Sequence, residues 1–116
     1  MKLSEFMTGA KELIKDESSW TKDWFARNDA GVPVRSLHED AICFCSLGAI
    51  ERFAGCELGD DLVDGVSSRT KEAQGLLETV MGGLLVEEYN DTHTHEEVMA
   101  MWDEAIEVAK VSESGK

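Results

Sequence analysis

The chain is 116 residues long, 42% apolar and 30% charged, a composition that describes one globular domain and excludes both a disordered chain and two separate cores. Its formal net charge is −13, unevenly placed: residues 57–107 hold fourteen Asp and Glu against only Arg69 and Lys71, a balance of −12. Binding to a nucleic-acid backbone needs clustered Lys and Arg, so direct nucleic-acid binding is not expected; the acidic excess maintains solubility or meets a basic surface on a partner protein.

Met1-Lys2-Leu3-Ser4-Glu5 leads into a charged helix and lacks the apolar run of a signal peptide. The longest uncharged run near the middle, Ala41 to Ile50, has ten residues, about half of what crosses a bilayer, so no membrane association is expected. Three cysteines without a secretory signal point to free thiols in a reducing compartment. The expected location is the cytoplasm, that of a host cell if the gene is viral.

Leu3, Phe6, Met7, Ala10, Leu13 and Ile14 recur at helical spacing and predict a first amphipathic helix over about 5–16, with Ser4 as its N-cap. Trp24-Phe25-Ala26-Arg27 and Val32-Pro33-Val34-Arg35 flank Asn28-Asp29-Ala30-Gly31, the pattern of a small hairpin in which Pro33 must lie at an edge. Ser36-Leu37-His38-Glu39 fits a capping box, and the apolar run that follows reads as a buried central helix stopped by Gly55, with a buried strand as the competing reading.

Residues 56–67 have loop composition. A helix is expected over about 68–81, with Ala73, Leu76, Leu77, Val80 and Met81 on one face and Gly82-Gly83 ending it. Leu84-Leu85-Val86 could add a helical turn before Tyr89-Asn90-Asp91, which reads as a connection. Thr94-His95-Glu96-Glu97 is a second capping box, opening a last helix with the stripe Val98, Met101, Trp102, Ala105, Ile106 and Ala109. The expected fold is mainly α: about four helices around a buried central helix with a small β-hairpin arm, one domain over 1–111 and a disordered tail over 112–116.

Trp20-Thr21, the segment Ala41…Cys45-Ser46-Leu47-Gly48-Ala49-Ile50, Tyr89-Asn90-Asp91, and Thr94…Glu97-Val98 followed by Ala105-Ile106 resemble, in that order, a family of small bacterial and bacteriophage proteins known only as a domain of unknown function. The resemblance spans about residues 3–109 and departs from the family pattern at Tyr89, where Trp is usual. It implies a shared small fold and a phage origin, and brings no activity or ligand.

Cys45, the obvious nucleophile, has no Lys or Arg within five residues in an apolar run, so it reads as packing. Cys43 and Cys45 would point about 200° apart on a helix and could not share a metal. His93 and His95 lack the spacing of a zinc signature. No catalytic residue, metal site or cofactor is therefore assigned. Two surfaces remain: a small-ligand pocket at Trp20, Tyr89, Asn90 and Asp91, combining aromatic walls with fixed polar groups, and a protein contact at Trp24 and Phe25. The favoured reading is a non-enzymatic protein that engages a basic-surfaced partner; the alternative is a small-molecule pocket protein, less readily a hydrolase.

Overall fold

The computed structural model describes residues 2–56 and 66–114, the side chains of 66–68 excepted. The loop read over 56–67 lies almost wholly outside them. Five α-helices, one short 3₁₀ turn and a three-stranded sheet make up the described residues. They are α1 (Leu3–Glu12), the 3₁₀ turn (Glu17–Ser19), β1 (Ala26–Arg27), β2 (Pro33–Val34), β3 (Cys43–Phe44), α2 (Ser46–Ala54), α3 (Val66–Val80), α4 (Val86–Thr92) and α5 (His95–Ser114).

The core is the convergence of the apolar stripes. Phe6, Met7, Ala10 and Ile14 of the first helical segment meet Leu47, Ala49 and Ile50 of α2, Ala73 and Leu77 of α3, and Val98, Met101, Trp102, Ala105 and Ile106 of α5. The stripe expected on the last helix is thus buried throughout. Its capping box forms too: Glu97 N–H donates to Thr94 Oγ1 at 3.2 Å, and Thr94 N–H donates to the Glu97 carboxylate at 2.9 Å. Those bonds hold the Glu97 carboxyl below the usual carboxylate range.

The hairpin forms as read. β1 pairs antiparallel with β2 through Ala26↔Val34 and Arg27↔Pro33, and Asn28 Oδ1 accepts the N–H groups of Ala30 and Val32 to shape the turn. Strand order β2-β1-β3 puts Pro33 on an edge strand, where its missing donor is tolerated.

Several expectations are corrected. The central helix is shorter than predicted, because the first part of the apolar run is β3, paired to β1 through Ala26↔Phe44 and Arg27↔Cys43. Cys45, in extended conformation, is the N-cap residue of α2, and its sulfur accepts the Gly48 N–H at 3.3 Å. The capping box at Ser36–Glu39 does not form. Ser36 heads no helix: it is buried with its hydroxyl beside Gly48 of α2, and the guanidinium of Arg52 clips this loop to α2 by donating to the carbonyls of Ser36 and His38.

The first helix starts two residues early and ends at Glu12; Ser4 lies inside it, and its backbone N–H and hydroxyl both donate to Glu113. Glu113 belongs to the last turn of α5, which runs to Ser114. Finally, Leu84 and Leu85 are exposed and non-helical, whereas Tyr89-Asn90-Asp91 lies within α4 rather than in a connection.

Leu47 is 1% exposed at the start of α2. Leu47→Ala is expected to cost roughly 2–5 kcal/mol in chemical denaturation, since the cavity cannot collapse between three packed helices. A near-neutral result would contradict this core.

Candidate functional site

Asn90 has no exposed surface, so every polar atom it carries needs a partner inside the protein. Its Oδ1 accepts from Trp20 Nε1 at 2.8 Å, from the Ser46 N–H at 3.0 Å and from the Ser46 hydroxyl at 2.9 Å. Its Nδ2 donates to the Thr21 carbonyl at 3.0 Å and to Asp91 Oδ1 at 3.1 Å. Trp102 Nε1 adds a bond to the Ser46 hydroxyl at 3.0 Å. One carboxamide thereby joins α4, the Trp20–Thr21 segment, the first turn of α2 and, through Ser46, the centre of α5.

Of the four residues read as a ligand pocket, Trp20, Asn90 and Asp91 do converge. They converge on one another. The Tyr89 ring turns away to stack on His93, with centroids 3.7 Å apart and planes 15° from parallel. Burial and the carboxylates of Glu97 and Glu104 raise the Tyr89 phenol above its ordinary value. Ser46 is the member that sequence reasoning missed; its place one residue after an N-cap became visible only once the strand preceding α2 was known.

Asp91 extends the network outward. Its Oδ1 also accepts the N–H of Asp23 at 2.9 Å, and Asp23 adopts a left-handed backbone with φ of 71°. A non-glycine residue in that region stores about 1–3 kcal/mol of strain and persists only where neighbours enforce it. Arg27 supplies further enforcement: its guanidinium donates to Thr21 Oγ1, the Gly31 carbonyl and the Lys22 carbonyl. Cys45 N–H donates to the Phe25 carbonyl at 3.0 Å. Gly48 allows that carbonyl to lie against α2, because a Cβ there would sit 2.0 Å from the Phe25 oxygen.

The product of these restraints is an arm with a fixed base and exposed rings. Trp24 is 53% and Phe25 38% exposed. The strand begins only at Ala26, so both aromatics precede the pleat and neither is turned inward by it. Beside them, Pro33, Val34, Arg35, Ser36 and Glu51 complete a groove of about 410 Å³.

The remaining candidates are accounted for. Cys45 stands at a helix N-terminus, a place that ordinarily lowers a thiol pKa, yet burial dominates and pushes it up to about 12. His95 Nε2 lies 2.8 Å from the Ile14 carbonyl, which requires the proton on that nitrogen, and its ring packs against Trp20. His93 Nδ1 lies 2.9 Å from the Tyr89 carbonyl. Among the described residues, no three His, Cys, Asp or Glu side chains are grouped to hold a metal ion, and no helix is long and apolar enough to cross a membrane.

Asn90→Ala is expected to destabilise the protein by about 2–4 kcal/mol, because it orphans Trp20 Nε1, the Ser46 N–H and the Thr21 carbonyl together. Chemical denaturation measures this, and a loss below about 1 kcal/mol would show that the network is dispensable. Cys45 should resist alkylation near pH 8 in the native protein and react once unfolded. Rapid native labelling at Cys45, located by peptide mapping, would contradict its burial.

No curated protein and no solved structure matches this chain. A family model does, over residues 1–108, and the chain belongs to that family, the family of unknown function DUF6197.

Proposed function

We propose that this chain is a non-enzymatic binding protein that engages a protein partner through the Trp24–Phe25 arm, its acidic surface selecting a partner with a basic face. The carrying observation is the arm itself: two exposed aromatic side chains on a backbone held by Asn90, Asp91, Arg27 and Cys45. Large aromatic side chains are the commonest anchors of protein interfaces, and a backbone already ordered before binding loses little further entropy. The strained Asp23 supports the same reading, since such conformations cluster where function requires them.

Charge supports the second half of the proposal. Glu96, Glu97, Asp103, Glu104 and Glu107 lie exposed on the outer face of α5, opposite its buried stripe. Lys11 pairs with Asp103 and offsets one of these charges, and the acids that remain still leave the face net negative. Such a surface speeds encounter with a cationic protein and repels phosphate backbones. The reducing cytoplasm is the compartment in which the unpaired thiols of Cys43 and Cys45 persist. A phage origin would make the partner a host protein.

The small-molecule reading at Trp20, Tyr89, Asn90 and Asp91 is the weaker one. The Asn90 carboxamide already makes five hydrogen bonds within the protein, leaving little for a ligand.

Immobilised protein should capture a partner from bacterial lysate at low salt and release it as salt rises. The Trp24→Ala/Phe25→Ala double variant, with its melting temperature unchanged, should capture it at least tenfold less. Capture insensitive to both salt and the double substitution would overturn the proposal.

A further inference from the structure

The start of α1 lacks the cap that a helix ordinarily takes from its own sequence. Lys2 is the N-cap residue and makes no side-chain capping bond, since an ammonium group has no lone pair to offer. Ser4 holds the second helical position, and its N–H is one of the donors that a helix start leaves without an internal partner. Ser4 is 6% exposed, so neither that N–H nor its hydroxyl can rely on solvent. Both go to one group. Glu113, in the last turn of α5, accepts the Ser4 N–H on Oε2 at 3.0 Å and the Ser4 hydroxyl on Oε1 at 2.6 Å.

We infer that Glu113 is the missing cap of α1, supplied from the far end of the chain, and that it makes the junction of the first and last helices an acid-released latch. The two bonds together need the ionised form. A carboxylate accepts through both oxygens, whereas a protonated carboxyl turns one of them into a donor. The positive end of the α1 dipole favours the anion as well. The bond from the Ser4 hydroxyl, then that from its N–H, hold the Glu113 carboxyl below the usual carboxylate range against some opposing desolvation, and Lys2 and Arg69 add to the effect. The charged groups around it are Lys2 and Glu5 at the start of α1, Arg69 and Glu72 of α3, which pair with each other, and Lys110 of α5. Because the folded value lies below the unfolded one, the latch is fully closed above the usual carboxylate range and is lost as pH falls through the folded value. Ser4 then keeps a buried N–H without a full partner unless the first turn of α1 parts from α5.

The test titrates the intact protein from neutral pH into acid while NMR follows the Glu113 carboxyl carbon and the exchange protection of the Ser4 amide. The Glu113 midpoint should lie below that of free glutamate. Ser4 protection should fall with the same midpoint, before the Asn90 and Trp102 amides report any loss of the core. Glu113→Gln keeps the size and one acceptor oxygen but not the charge. It should lower Ser4 protection several-fold at neutral pH and abolish its dependence on acid. Ser4→Ala removes the hydroxyl and keeps the N–H, so it should raise the Glu113 midpoint toward the ordinary glutamate value.

A Glu113 midpoint at the ordinary value, or one that Ser4→Ala leaves unmoved, would overturn the cap. A Ser4 amide that does not follow Glu113, or that stays equally protected in Glu113→Gln, would overturn the latch. Loss of Ser4 protection and of the core at one shared midpoint would make the acid transition global and sink the proposal as well.

Discussion

The structure depends on the buried carboxamide of Asn90. A side-chain amide has four hydrogen-bonding positions in its usual count, and here five bonds link it to four residues, Trp20, Thr21, Ser46 and Asp91. In a low-dielectric interior such a network is strong when complete and costly when broken. It also accounts for α4, which at seven residues is too short to be stable by its own hydrogen bonds. Val86 and Asn90 are its buried side chains, one contributing apolar packing and the other the network.

From that centre the order runs outward to the surface. Asn90 fixes Trp20 and Thr21, Asp91 fixes Asp23, and the close approach of the Phe25 carbonyl to Gly48 fixes the far end. A segment with two-residue strands and little apolar burial would ordinarily be mobile. Here it is tied to the core at nearly every second residue, while the side chains of Trp24 and Phe25 face solvent. The fold therefore spends an extensive polar network on holding in place the surface feature on which the proposed binding rests.

Much of the architecture was legible in the sequence, because amphipathic periodicity is a local property. The stripes of α1, α3 and α5, the hairpin about Asn28 to Gly31, the stop at Gly55 and the cap at Thr94 are each written within a few neighbouring residues. The misreadings share a different cause. Cys43 and Phe44 became a strand because Ala26 and Arg27, about seventeen residues earlier in the chain, offer a pairing edge. Asn90 and Asp91 have the composition of a turn, yet bonds to Trp20, Thr21 and Ser46 hold them in a helix. Ser4 looked like a cap because its partner, Glu113, lies at the opposite end of the sequence. Of the residues around the groove, Trp24 and Phe25 were visible from composition; Ser36 and Glu51 were not, since their meeting there is a property of the folded chain.

The clasp between Ser4 and Glu113 has a topological consequence. Two residues separated by 109 positions are hydrogen-bonded to each other at 2.6 Å, so the first and last helices leave the core side by side. A short peptide could bridge them, and the chain could then be reopened at the exposed Asp29–Ala30 turn without removing any helix. In such a rearranged molecule the two halves of the hairpin would become the new extremities, separating the stability of the helical core from the rigidity of the arm.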